Sequence, residues 1–509
     1  MGLSMPTSAG VSSSTSMSIS SSTTMFELLC VALLGLGQMF IMTGYDTQAG
    51  ILFSFVVESV VHAVHMREPS RIDAFAGYYG QATCYAAYLT ACLFAPSVLR
   101  KLSTKWTLFF GSLCFTIYQV GFLYLNKYYF YFSCAVMGVG FACNFSMEYI
   151  DLEIFSVYYT GHGSYLTSHS TRKSIERNSA VSWSIGCLCM IVGSGILAVI
   201  FSLNKYLVQP EAPSNETEIV NGHTYRYFSD SEIRMMYGAF AAITFFANIT
   251  FAMIPWRGIP NCIESRISKT EKTFHTEMAL IGDTFVDKRM ITLSPLFIHL
   301  GLYTSFWISV YPTSLIFTKS LSRHIYLPAS YSLAVGTGEV IMGAFISTMS
   351  KRVTNFGLKP TMFIAFGLTT ILLLVIVLSV PPWATIELTN DPTFLIKPSV
   401  LLSTTVALLI GLTDSCVNNV RNVICALALP EARAQSFAIS KFYQASAGAM
   451  LMFVSPYLSI LHYAVLLFFT LSLATVCFIH VAGQTKKMER ASSAGNSTFK
   501  LSFAEGSSK

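Results

Sequence analysis

The sequence predicts an all-α membrane protein of twelve transmembrane helices, set out as two pseudo-symmetric six-helix halves. Three observations carry this. The 509 residues are 53% hydrophobic and only 11% charged, where soluble domains run at about 25% charged, and the mean hydropathy is +0.56. Apolar runs of roughly 20 residues, the length that crosses a bilayer core, recur from end to end. A single long charged stretch, Trp256 to Arg289, separates two sets of six such runs. This composition excludes an ordinary globular enzyme. The net charge of +6 is too small to point to nucleic acid as a partner; the lipid bilayer is the expected one, and sidedness in it accounts for the excess.

The elements follow in order. Residues 1–25 are mostly Ser, Thr, Met and Gly without charge or periodicity, and read as a disordered tail. No basic segment precedes the first apolar run, which argues against a secretory signal, and Pro6 spoils a myristoylation pattern. The first half covers 26–255. Span one (26–48) ends in the polar group Asp46, Thr47 and Gln48. After the polar segment Arg67 to Asp73 come span two (77–98), a basic turn from Arg100 to Lys105, span three (106–125) and span four (128–147). A polar connector, 148–177, leads into span five (178–203). The next loop holds the glycosylation sequon Asn215-Glu216-Thr217, and span six (232–255) follows. Asn144 and Asn248 also fit the sequon but lie within spans, beyond a glycosyltransferase.

The charged stretch, 256–290, reads as a linker. The second half, 291–482, repeats the sequence of events: span seven (291–317), span eight (328–349), a basic turn at Ser350-Lys351-Arg352, spans nine (360–380) and ten (396–420), a polar connector from Arg421 to Gln435, and spans eleven (436–457) and twelve (459–481). A second tail occupies 483–509. Loops after even-numbered spans hold most of the basic residues, among them Arg100, Lys101, Lys105, Lys351, Arg352 and the six of the linker. By the positive-inside rule those loops, the linker and both termini are expected in the cytoplasm, and Asn215 outside or in a lumen, at the plasma membrane or an endomembrane. The sequon was not part of that count, yet it falls on the expected outer side.

Each half has a basic turn between its second and third spans and a polar connector between its fourth and fifth. The connectors end alike, in Arg177-Asn178-Ser179-Ala180 and Arg433-Ala434-Gln435-Ser436. Duplicated six-span units are the mark of transporter-type folds with a site near the midplane between the halves, and argue for the major facilitator fold. Fold alone does not prove transport. Two motifs are more specific. Gly411-Leu412-Thr413-Asp414-Ser415-Cys416, followed by Ser436-Phe437-Ala438-Ile439-Ser440-Lys441-Phe442-Tyr443-Gln444, resembles the tenth-to-eleventh-span signature of the uncoordinated-93-like family within the major facilitator superfamily. Gly161-His162-Gly163-Ser164-Tyr165-Leu166-Thr167 with Ile175-Glu176-Arg177-Asn178-Ser179 is similar to that family's fourth-to-fifth connector, and Gly338-Glu339-Val340-Ile341-Met342-Gly343 also fits. The resemblance implies an accessory protein that regulates an ion channel or the trafficking of a membrane protein, or an uncharacterised carrier of a small solute. The sequence departs from the pattern in two places. Span one has Tyr45-Asp46-Thr47 where the family shows a neutral Gln, and both basic turns lack the acidic residue of the usual major facilitator latch.

Among candidate functional residues, Glu339 stands out near the middle of span eight. A carboxylate there is costly unless it is partnered or faces water. It either carries a proton or cation, or stays protonated and ties helices that Gly336, Gly338 and Gly343 bring close. Asp414 and Lys441 lie at matching depths in spans ten and eleven, so an ion pair is expected, acting as a structural clamp or as a state-dependent gate. Asp46 lines a central cavity or an outer rim. His299 in span seven is a titratable group or a packing residue. Glu148, Asp151 and Glu153 are expected to pair with Arg172 or Arg177. Most of the 12 cysteines fall in apolar runs; Cys187 and Cys189 read as small buried residues and not as metal ligands. With no phosphate loop, metal-ligand spacing or nucleophile constellation, neither a cofactor nor an enzymatic reaction is expected.

Overall fold

In a bilayer the backbone must satisfy its own hydrogen bonds, so each apolar run becomes a helix. The computed structural model describes residues 12–49, parts of 61–91, 104–142, 158–207, 217–220, 223–226, 230–259, 262–263 and, apart from short breaks, 274–506. Helix α1 (Ser12–Ala49) contains span one and begins well before it, inside the stretch read as a tail. Span two is described only in part, with helix over 83–91. Then come α2 (Thr104–Gly121), α3 (Lys127–Ala142), a short α4 (Tyr158–Ser168), α5 (Ile175–Leu207) and α6 (Asp230–Met253). The loop between α5 and α6 holds a hairpin, β1 (Thr217–Val220) antiparallel to β2 (His223–Arg226). It is the one sheet among the described residues; Asn215, just before it, lies outside them.

After the linker helix α7 (Phe274–Val286), span seven divides into α8 (Lys288–Ser305), a π-helical turn at Phe306–Val310, and α9 (Tyr311–Phe317). Helices α10 (Leu327–Arg352), α11 (Leu358–Ser379), α12 (Val400–Ala428), α13 (Arg433–Val454) and α14 (Ile460–Gly506) complete the chain. Two further boundaries differ from the sequence reading. Helix α12 runs on through Arg421, read above as the start of a connector, to Ala428, because Arg421 is buried and hydrogen-bonds back to Asn418 on its own helix. Helix α14 continues through the second tail. Nine helices among the described residues are long and apolar enough to cross a membrane. Helix α13 is long enough but is not one of them; the polar residues Lys441 and Gln444 interrupt its apolar surface.

Helix α10 packs most extensively against α5 of the first half and α12 of the second. Glycines set both contacts. A Cβ on Gly338 would collide with the carbonyl of Leu408, and one on Gly411 with that of Val335; on the other side, a Cβ on Gly336 would lie 2.6 Å from Met190 Cβ, and one on Gly343 would strike Ser184 Oγ. Backbone thus approaches backbone on both flanks of Glu339.

On the linker side, Glu27 of α1 accepts hydrogen bonds from Ser174 and from Asn178 Nδ2 at 2.7 Å, pinning the connector. Arg172 pairs with Glu176 at 3.8 Å; Glu148, Asp151 and Glu153 lie outside the described residues. The linker starts as a docked strap. The Ile259 amide donates to Ser168 O (3.1 Å) and the Ile263 amide to Ser170 O (3.0 Å), while Arg433 Nη1 of the second half donates to Ile263 O at 2.9 Å. Ile263 therefore holds both halves at once. On the opposite side, Arg67 and Arg71 meet Asp230, and Lys127 meets Asp73 at 2.7 Å. The carboxylate beside it raises the Lys127 pKa. Each of these three cations on the side expected to be poor in positive charge is matched by an acid.

Candidate functional site

The glycine contacts bring Glu339 to a junction of three helices. Its carboxyl hydrogen-bonds to Asp414 of α12 and to the Cys187 thiol of α5, so it touches both halves, and it is 4% exposed. Asp414 also accepts from Trp307 Nε1 at 3.1 Å and from Asn418 Nδ2 at 2.8 Å. The π-helical turn supplies the tryptophan. It widens the helix by a residue and leaves a carbonyl without its helical donor; here Trp307 O accepts from Tyr331 Oη at 2.7 Å. The network continues from Asn418 Oδ1 to Arg421 Nη2 at 3.2 Å. Two carboxyl groups can hydrogen-bond to each other only with at least one proton between them.

A cavity of about 150 Å³ opens onto this pair between the halves. Glu339, Asp414 and Lys441 line it, with Gln38 and Trp183 from the first half and Gln444 from the second. Gln38 Oε1, Trp183 Nε1 and Gln444 Oε1 are buried without hydrogen-bond partners among the described residues. Unpaired polar atoms are costly in an apolar interior, and here they border a cavity. A smaller pocket of about 10 Å³ adjoins, sharing Gln38, Trp183 and Lys441 and adding His162 and Arg421.

Of the residues singled out in the sequence, Glu339, Asp414 and Lys441 meet at this cavity. His299 lies elsewhere, fully buried with Nδ1 3.0 Å from Thr470 Oγ1 of α14. Asp46 falls on the last turns of α1. Asn248 is an internal tie between α6 and α2, with Oδ1 2.6 Å from Ser112 Oγ and Nδ2 3.0 Å from Thr116 Oγ1. Gln38, Trp183, Cys187, Trp307 and Arg421 were not anticipated. The signal for Arg421 was its spacing from Asp414, two helical turns along one face. Cys187 is buried, as expected, but it is also a hydrogen-bonding member of the site.

Comparison with known proteins agrees with this architecture. Residues 68–479 match the family described as Ion channel regulatory protein UNC-93. The UNC93-like protein MFSD11 of Xenopus laevis is 26% identical over 460 residues, which is 87% of this chain and 92% of that protein. Its Xenopus tropicalis counterpart is 26% identical over 461 residues, with the same coverage of 87% and 92%. Among solved structures, the chain superposes on the Major Facilitator Superfamily transporter FucP in its outward conformation with a TM-score of 0.59 and 11% identity, covering 90% of this chain and 99% of that one. The proton:xylose symporter XylE gives a TM-score of 0.56 and 12% identity, covering 89% and 94%. At such identity the likeness is one of fold. The family match takes in both connector motifs and the whole Glu339–Asp414–Lys441 cluster: the chain belongs to the UNC-93 family and is a multi-pass membrane protein of the major facilitator fold.

Proposed function

We propose that this protein works as a carrier, binding a small solute in the central cavity and coupling its movement to a proton held by Glu339 and Asp414. The observation that supports this best is a cavity between the halves that reaches a buried carboxyl pair and is bordered by unpartnered polar atoms from both halves. In an alternating-access cycle the halves rock about such a site. Glu339 hydrogen-bonds to Cys187 across the divide, so rocking changes the surroundings of the proton-bearing pair. That is the link a coupled carrier needs. FucP and XylE, which share the fold, are described as symporters of protons with fucose and with xylose; that is said of those proteins. The charge asymmetry supports both termini and the linker in the cytoplasm, with Asn215 as a glycosylation site on the other side.

A second reading, an accessory that regulates an ion channel or escorts a membrane partner, is favoured by the family's description and by the missing acid in both basic turns. Proteoliposomes enclosing a pH-sensitive dye separate the two. Addition of the transported solute acidifies the lumen with the wild-type protein, and Glu339→Gln loses that response by at least tenfold. If no solute from a panel of sugars, amino acids, organic acids and amines moves protons, and a channel subunit co-purifies at fixed stoichiometry, the accessory reading replaces the carrier.

A further inference from the structure

We propose that the cavity takes a small uncharged solute with a primary carboxamide head on an apolar body, its carbonyl held by Trp183 and its N–H groups by Gln38 and Gln444. This rests on the carrier reading of the same cavity and adds the class of solute. The first argument is the kind of atom left over. Three helices bring buried polar atoms to the wall that have no partner among the described residues: Gln38 Oε1 from α1, Trp183 Nε1 from α5 and Gln444 Oε1 from α13. An indole N–H can only donate, and an amide oxygen only accepts. The set asks for one acceptor and two donors, which is what a primary carboxamide offers in its carbonyl oxygen and its two N–H groups. Water answers each atom singly; a carboxamide answers the three together. It also suits either orientation of the Gln38 amide, because it carries both kinds of atom.

The second argument is placement. Gly186 follows Trp183 by three residues, on the same face of α5, and a Cβ there would lie 2.7 Å from Gln38 Cδ. The missing side chain lets the Gln38 amide lie against α5, one turn from the residue that carries the indole. Gln444 is tied by its other end: its Nε2 donates to Thr304 Oγ1 at 3.4 Å, and the oxygen is left over. The third argument is what the wall already satisfies. Asp414 accepts from Trp307 Nε1 and Asn418 Nδ2, and Glu339 and Lys441 have interactions of their own within the protein. The groups left to a solute are the neutral ones. Met42, Tyr85, Tyr88, Trp307, Ile308 and Ala445 make much of the remaining wall and give an apolar body surface to lie on. A polyol would set most of its hydroxyls against that surface without partners, which is costly.

The test is direct binding to the purified full-length chain in lipid nanodiscs, with radiolabelled benzamide as the probe and the counts on empty nanodiscs subtracted. The competitors are acetophenone, which keeps the carbonyl and lacks the N–H groups, and benzoate, which has acceptors only. Benzamide binds saturably, and both competitors displace it about tenfold less well or worse. Trp183→Phe, which keeps a ring and loses the donor, and Gln38→Met each weaken benzamide by about tenfold or more. The advantage of benzamide over acetophenone shrinks in Gln38→Met and persists in Trp183→Phe, since both compounds use the indole and only benzamide uses the glutamine. If either variant fails to fold, Gln444→Met replaces it with the expectation stated for Gln38→Met, and the ranking on the wild type still decides. Acetophenone or benzoate equal to benzamide, undiminished benzamide binding in either variant, or no saturable binding to the wild type, as in a cavity that holds water alone, overturns the proposal. Benzamide also joins the solute panel of the flux assay, so that the two readings fail separately. Proton flux with another solute and no benzamide binding removes the carboxamide and leaves the carrier. Benzamide binding without flux of any solute removes the carrier and leaves the carboxamide site.

Discussion

At the scale of single residues, His169 shows how a buried ring records pH. It lies between α4 and α5, stacked on Tyr165 with ring centroids 3.9 Å apart. Its Nε2 is 3.0 Å from Arg257 O of the linker, and its Nδ1 is 3.0 Å from Tyr165 O and 3.2 Å from Ser168 Oγ. Burial lowers its pKa from the usual 6.5; the Tyr165 and Arg257 carbonyls and the charge of Glu27 oppose that shift without cancelling it. The folded state thus holds the ring neutral, while the unfolded chain protonates near the ordinary value. The stability owed to this site is fully present above that value and declines as pH falls below it toward the folded pKa. Melting temperature recorded from pH 7.5 to 5.5 falls for the wild type, and the slope flattens in His169→Gln. Parallel profiles would show that another group titrates. Residues of this kind are poorly legible from sequence. His169 and Cys187 each sit in a run that reads as generic connector or generic span, and their partners, Arg257 and Glu339, are remote in sequence. Glu339 stands out in the sequence because a carboxylate in an apolar run must be protonated, partnered or wet, and each of these sets it against another helix or a cavity.

At the scale of the element, helix α10 is built around approach. Its glycines let α12 and α5 come within backbone contact, and that closeness is what sets Glu339 against Asp414 and Cys187. A Cβ at position 411 would meet the Val335 carbonyl and lie 2.9 Å from Glu339 N, while one at position 367 on α11 would meet nothing within 4 Å. Gly411→Ala forces the helices apart and costs about 1–3 kcal/mol, seen as a lower melting temperature in detergent. Gly367→Ala, which gains helix propensity of up to about 1 kcal/mol, leaves the melting temperature unchanged or higher. Equal behaviour of the two variants would contradict the close-packing account. The helices themselves were legible because lipid leaves an apolar run no other structure. The aim of their side chains was not. Trp307 reaches Asp414 by way of a π-helical turn that nothing in Phe306-Trp307-Ile308-Ser309-Val310 announces, and α13 owes its polarity to a cavity formed with helices far away in the chain.

At the scale of the whole molecule, the two halves are held on the linker side by the strap that joins them. The basic turns lack the acid of the usual latch, and the contacts fall to other groups. The Phe437 ring of α13 lies against Gly163 of α4, where a Cβ would stand 2.8 Å away, and Ile263 bonds to Ser170 on one side and to Arg433 on the other. From the sequence this stretch reads only as a linker, because the bonds that dock it run through backbone groups that every residue carries. Arg433→Met removes a charge-assisted hydrogen bond worth about 1.5–3 kcal/mol, so exchange of the Ile259 and Ile263 amides with deuterated solvent speeds up by about tenfold or more. Unaltered exchange would mean that the strap is held from the first half alone. The same geometry bears on how this segment can vary. Ile263 contributes an amide and a carbonyl to opposite neighbours, and its side chain takes no part in either bond. The buried side chains of Ile259 and Ile263 constrain identity there, and the chain length is constrained as well: one residue more or fewer before Ile263 would turn its amide and its carbonyl away from both of their partners at once.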